Sequence, residues 1–279
     1  MSVPKTQIAI CAPARPIDRT LAREVSAFAA QEFPGVTLAF HEQCFAQAGH
    51  FAGDDARRLS ALLDCANDPQ VDAVWSARGG YGSNRIAAAA VAGMGAAARD
   101  KVFLGYSDFG YVLAALYRAG IGRPVHGPMP VDWNKREGRS AVRRALSFLS
   151  GKAGDGLEPS LDQRPTVAFN LTTLAMLVGT ELMPDLAGHV VMVEEVDECL
   201  YAVDRLFFHL MPFLKGIAGL RLGRVDEKSN DVPFGATAEQ ITRDWCARAG
   251  IPFLGRAEIG HDAANRIVPF GLAAARAEP

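Results

Sequence analysis

The 279-residue sequence has no basic tract, no paired cysteines and no apolar run long enough to cross a membrane. Each absence removes a class of function. The 29 Lys and Arg against 31 Asp and Glu leave a net charge of −2, and no aromatic–basic interleaving occurs, which argues against a nucleic-acid partner. Cys11, Cys44, Cys65, Cys199 and Cys246 are scattered, odd in number and without CxxC spacing. That excludes a disulfide framework and a structural zinc site, and it reads as small buried hydrophobes in a reducing compartment. The apolar run near the start, Ile8 to Ala12, is too short for a signal-peptide core, and nothing approaches the roughly 20 apolar residues a bilayer span needs. A cytoplasmic protein that requires neither a membrane nor a metal is expected.

Two phosphate motifs are missing as well. The glycine-rich "ARGGYGS" is followed by no Gly-Lys-Ser/Thr, so it is not a Walker loop. It also lacks the third glycine of a dinucleotide fingerprint and opens the third βα turn, while the first turn, "CAPARPID", has no glycine. No cofactor is expected.

What is present is an alternation of short apolar runs with helical patterns. "QIAICAP", "VTLAFH", "VDAVWSA" and "KVFLGY" read as strands, separated by the amphipathic stretches "RTLAREVSAFAAQEF", "DDARRLSALLDCAN" and "SNRIAAAAVAGM" and followed by "DFGYVLAALYRAG". Strands apolar throughout and separated by helices predict an α/β fold whose parallel sheet is covered on both faces, with sites beyond the strands' carboxyl ends. "KAGDGLEPSLDQRP" marks a linker over 151–165, dividing a first domain over 1–150 from a smaller α/β domain over 166–279. In that second part a helix is read around "NLTTLAMLVGT", then strands "HVVMVEEV", "GLRLGRV", "IPFLG" and "RIVPFG".

Four stretches carry residues suited to chemistry. "LGYSDFGYVLAALY" puts Ser107 at a strand-to-helix turn, where free N–H groups and a helix dipole favour a nucleophile, although Ser and Asp are also the preferred N-caps. "MVEEVDECLY" ends an apolar strand with Glu194 and Glu195, whose alternation lets only one enter a given site. "EIGHDAANRIVPFG" sets His261 after a glycine, where a neutral imidazole could act as general base, and His126 in "HGPM" could line the same cleft. In "ARGGYGS" the glycines serve either as a structural turn capped by Ser83 or as N–H donors to an oxyanion. Arg78 and Arg85 flank the loop, and either can receive a substrate carboxylate or pair within the fold.

Read in order, "IAICAPARPI", "WSARGGYGSNRI", "KVFLGYSD", "HGPM", "GTELMPDLAGHVVMVEEVDE" and "GIPFLG…IGHDAANRIVPFG" resemble the LD-carboxypeptidase family, serine peptidases that trim murein tetrapeptides. The resemblance covers nearly the whole chain. It implies Ser107 as nucleophile, Glu194 as acid and His261 as base, with the oxyanion between the N–H groups of Gly80 and Asp108. It further implies a flavodoxin-like first domain, a second domain with a small barrel-like sheet, a homodimer, and a role in peptidoglycan recycling with no metal and no cofactor. A departure is Ala168-Phe169 before Asn170, where family members commonly carry two glycines; the phenylalanine would narrow the cleft or repack locally. The alternatives are a peptidyl-nucleotide hydrolase of the microcin type within the same family, a non-catalytic flavodoxin-like binding module, or an inactive scaffold.

Overall fold

The computed structural model describes residues 6–152, 154–229 and 232–272. Residues 1–5, 153, 230, 231 and 273–279, which the expected domain limits include, lie outside the described residues. The first part alternates β1 (Thr6–Cys11), α1 (Arg19–Glu32), β2 (Val36–Phe40), α2 (Asp55–Asn67), β3 (Ala73–Ser76), α3 (Ala87–Gly93), β4 (Val102–Gly105), α4 (Gly110–Ala119), β5 (Arg123–His126) and α5 (Gly138–Leu149). Their starts follow local chemistry: Asp18 and Asp54 accept the N–H groups of Leu21 and Arg57, capping α1 and α2.

The strands pair in the order β5-β4-β3-β1-β2, all parallel, which is the flavodoxin-like order. Because the order reverses between β1 and β3, the loops leaving these neighbouring strands diverge and open a crevice at their carboxyl ends. The β1, β3 and β4 loops all emerge at that edge.

The second part contains β6 (Thr166–Asn170), α6 (Leu171–Leu177), β7 (Val190–Cys199), α7 (Leu200–Leu210), β8 (Gly219–Lys228), α8 (Ala238–Ala249) and β9 (Phe253–Arg256). Its sheet runs β6-β7-β8-β9, parallel throughout. The edges β6 and β9 do not pair directly; Thr166 at the start of β6 exchanges backbone hydrogen bonds with Gly271 at 2.8 and 2.9 Å, and beyond β9 the Arg266 N–H donates to the Glu258 carbonyl at 3.0 Å, so the segment after β9 returns to β6. Strand β6 was not anticipated: it runs straight into α6, and Asn170 is at once the strand's last residue and the helix cap.

The two parts are stitched together. Strand β10 (Val268–Pro269), expected in the second domain, instead adds antiparallel to β5 at the edge of the first sheet. The stretch expected as a linker is anchored too. Leu157 bridges to Ile267, and buried Glu158 accepts the N–H groups of Ser160 at 2.8 Å and Glu258 at 3.1 Å. A single apolar core contains Phe109, Val112 and Leu116 beside α4 together with Phe169, Leu174 and Val191 of the second part. Phe169, at the departure from the family pattern, is 1% exposed and stacks edge-on against Phe270 at 5.1 Å. It packs in the joint between the two sheets, beside Gly110 of α4.

Candidate active site

The turn after β4 is strained at one residue. Ser107 has φ 59°, in the left-handed region that a β-carbon disfavours. Neither Ser107 nor Asp108 caps α4, which starts without any side-chain cap. The Asp108 carboxylate points backwards and accepts the N–H groups of Gly82 at 3.2 Å and Ser83 at 2.8 Å, while the Ser83 hydroxyl donates to the Asp108 carbonyl. The capping interpretation of this pair is thereby replaced by another: the carboxylate ties the glycine loop to the serine turn. Burial pushes the Asp108 carboxyl up, and the Ser83 and Gly82 donors oppose that shift.

The glycines are needed at this contact. A β-carbon on Gly79 would lie 2.9 Å from both Cβ and Oγ of Ser107 and 3.5 Å from the Asp108 nitrogen. Gly80 and Gly82 hold φ 122° and 135°, which side-chain-bearing residues rarely adopt. The loop backbone therefore lies directly on the serine.

The second sheet supplies an acid and an imidazole. The pairing of β7 with β8 slips by one residue opposite Glu194: Val193 faces Leu222, but Glu195 faces Val225. Such a bulge re-aims side chains. Gly223 sits in it, and a β-carbon there would come within 2.9 Å of Glu194 Cβ. Glu194 is fully buried, and its Oε2 accepts from His261 Nδ1 at 2.5 Å. With Nδ1–H so engaged, Nε2 is the nitrogen left to take a proton. Burial pulls the imidazole's pKa down, but the charge and hydrogen bond of Glu194 outweigh it, so His261 ionises above the ordinary histidine value.

Glu195, the other candidate acid, faces away. Its carboxylate accepts from Asn170 Nδ2 at 2.7 Å and from the backbone N–H and hydroxyl of Thr172 at 2.8 and 2.7 Å, so it holds the start of α6.

The His261 loop is clamped on both sides. Arg224 forms a bidentate pair with Asp262. From the first part, Lys135 donates to the His261 carbonyl at 2.5 Å, to the Tyr106 hydroxyl at 2.8 Å and to Asp132 Oδ1 at 2.7 Å. The Tyr106 hydroxyl donates to Asp132 at 2.8 Å, and the Tyr106 ring lies 4.9 Å from that of His261. Tyr106 immediately precedes Ser107, so the serine turn and the imidazole share one buried polar cluster. The Ser107 hydroxyl makes no hydrogen bond to His261 in this structure. Catalytic hydrogen bonds in unliganded enzymes are often long and tighten when substrate binds.

His126 is fully buried behind this cluster, with Nε2 3.1 Å from Asn265 Oδ1, and burial holds its pKa down. It faces the protein and not the cleft. Tyr106, Asp132 and Lys135 were not anticipated from sequence. Lys135 lies in "NKREGRSAVRRALSFLSG", a stretch that reads as a charged helix, but the helix itself begins only at Gly138. Among the described residues no group of three or more His, Cys, Asp or Glu side chains could hold a metal ion.

Comparisons with known proteins identify the family and the fold. The N-terminal domain model of the LD-carboxypeptidase family matches residues 8–127, and its C-terminal domain model matches residues 165–275. The murein tetrapeptide carboxypeptidase of Pseudomonas aeruginosa is 27% identical over 263 residues, covering 87% of this chain and 84% of that protein. The crystal structure of muramoyltetrapeptide carboxypeptidase from Oxalobacter formigenes superposes with a TM-score of 0.76 at 23% identity, covering 96% of both chains. The microcin C7 self-immunity protein MccF superposes with a TM-score of 0.78 at 16% identity, covering 97% of this chain and 92% of that one. With both family domains matched in order along one polypeptide, the chain belongs to the LD-carboxypeptidase family of serine peptidases.

Proposed function

We propose that this protein is a serine LD-carboxypeptidase. It hydrolyses the bond between an L-centre diamino acid, meso-diaminopimelate or Lys, and the terminal D-Ala of a murein tetrapeptide. The observation that carries the reading is the buried Glu194–His261 pair, which shares a polar cluster with a serine held at φ 59° against a glycine loop. The P. aeruginosa relative's name supplies the substrate class.

In this mechanism Ser107, from the first domain over residues 1–150, attacks the scissile carbonyl. His261 Nε2 takes the hydroxyl proton and later gives it to the departing amine of D-Ala; Glu194 stabilises the imidazolium. Both belong to the second domain over 166–279, beyond the 151–165 connection. The developing oxyanion lies between the N–H groups of Gly80 and Asp108, a role supported by the packing of the adjacent Gly79 against Ser107 and the Asp108 nitrogen. Water activated by His261 then cleaves the acyl-enzyme and releases the tripeptide. The reading carries with it a cytoplasmic homodimer acting in peptidoglycan recycling; no helix among the described residues is long and apolar enough to cross a membrane.

The test is to offer L-Ala-γ-D-Glu-meso-diaminopimelate-D-Ala and a peptidyl-nucleotide side by side and follow products by mass. Free D-Ala from the tetrapeptide supports the proposal. Cleavage of the peptidyl-nucleotide alone would transfer the function to the microcin type, and cleavage of neither would remove the hydrolase reading.

A further inference from the structure

A carboxypeptidase must recognise a free terminal carboxylate, and its location is narrowly constrained. In the substrate that carboxylate begins two bonds beyond the scissile nitrogen, so its oxygens lie within about 5 Å of the attacked carbonyl carbon. Any cation that receives it must therefore stand beside Ser107. Of the two arginines flanking the glycine loop, Arg85 is already engaged: its guanidinium holds the Asp55 carboxylate at 2.8 to 3.0 Å. Arg78 is not. It immediately precedes Gly79, whose backbone packs on the Ser107 hydroxyl, and it makes only long contacts, 3.4 Å each, to the carbonyls of Gly79 and Pro16.

A second guanidinium arrives from the neighbouring strand's loop. Arg15 follows β1, and its stem lies over Gly80, where an added β-carbon would meet Arg15 Cδ at 2.5 Å. Arg15 and Arg78 lie close enough for Arg15 to push the Arg78 pKa down further, beyond the larger effect of burial. Among the described residues no carboxylate forms an ion pair with either. Two like charges brought together at the crevice between β1 and β3, one half-buried and both without a counter-charge, repel each other until an anion arrives. Guanidinium stays protonated under any relevant condition and presents planar N–H pairs that match a carboxylate.

We propose that Arg15 and Arg78 together receive the terminal carboxylate of the peptide and restrict this enzyme to exopeptidase cleavage. The assignment rests on the carboxypeptidase reading above and deepens it, because it names the groups that distinguish a chain end from an internal bond. Arg15 was invisible as a partner in the sequence, where it is an isolated cation some sixty positions before Arg78.

The test compares kcat/KM for the tetrapeptide and for its C-terminal amide, in the wild type and in Arg15→Gln, Arg78→Gln and the double variant, each checked for an unchanged melting temperature. Hydrogen bonds to charged groups support about 10- to 100-fold discrimination each. The wild type should favour the free acid by about 10³-fold. The double variant should lose most of its rate on the acid, keep its rate on the amide, and favour the acid by less than tenfold. Because Arg78 is half-buried, the exposed Arg15 provides the second check: Arg15→Gln alone should shrink the preference at least tenfold. A double variant that still favours the acid 100-fold would overturn the assignment while leaving the carboxypeptidase intact. A wild type that releases no D-Ala from the tetrapeptide would instead bring down the underlying reading and the assignment with it.

Discussion

Lys135 donates to the backbone carbonyl of His261 at 2.5 Å, and the two residues lie 126 positions apart in the chain. The first sheet's loops thus hold the second sheet's imidazole in place. The ammonium satisfies three acceptors, the His261 carbonyl, the Tyr106 hydroxyl and Asp132, which exhausts its donors. Its removal frees the loop and leaves the buried Asp132 without its cation.

Lys135→Met should accordingly lower kcat by about 10- to 100-fold, the effect of misplacing a catalytic group by about 1 Å. It should also shift the acid limb of the rate profile. Lys135 holds the His261 pKa down and Asp132 raises it, so without the lysine the limb moves to higher pH. Steady-state kinetics across pH 5 to 9 would check this; an unmoved limb with full kcat would show that the clamp is dispensable.

Glu194 acts on the same imidazole with the opposite sign. The base must be neutral, and His261 ionises above the usual 6.5 or so, hence activity should fall as pH drops through a point above that value. The Glu194→Gln limb should move to lower pH, because burial then dominates, and kcat should drop by about 10⁴-fold as the imidazole loses its orienting charge. Stability runs the other way. A histidine whose pKa is raised on folding stabilises fully below about pH 6.5 and loses that contribution as pH rises through the folded value. Thermal melts of the wild type and Glu194→Gln between pH 6 and 9 should therefore converge at the alkaline end. A difference constant over that range would contradict the linkage.

The glycine loop can be tested with one methyl group. Gly79 is not in a left-handed conformation, so Gly79→Ala meets only a spatial limit: the new β-carbon would press on Ser107 Cβ and Oγ from 2.9 Å. The serine must then rotate or the loop must retreat. The expected result is a 10²-fold or larger loss in kcat with a melting temperature within a few degrees of the wild type, measured on the tetrapeptide. Full activity would separate the loop from the reaction.

Much of this arrangement is legible in the sequence, and the exceptions share a cause. The parallel sheet of the first part is written in strands that are apolar on both faces, a local signal. Ser107 and Glu194 stand out because each falls at the end of an apolar run, and His261 because it follows a glycine in a loop between two apolar segments. What stayed hidden depends on contacts between distant positions. The selection of Glu194 over Glu195 is made by a bulge in β8, around Gly223, which nothing in "MVEEVDECLY" reveals. The switch of β10 to the first sheet is a long-range pairing with β5, and the partnership of Lys135 with His261 spans both parts. That Ser107 leaves α4 uncapped goes with its backbone angle, and the value of 59° has no signature in residue type.

On the proposed mechanism, hydrolysis passes through the Ser107 hydroxyl. Release of D-Ala from the murein tetrapeptide by the wild type and by Ser107→Ala, at matched folding, tests it most directly. Steady release by the wild type is expected, with a rate about 10⁴- to 10⁶-fold lower in the variant, since the members of such a unit fail together. A variant within tenfold of the wild type would contradict it.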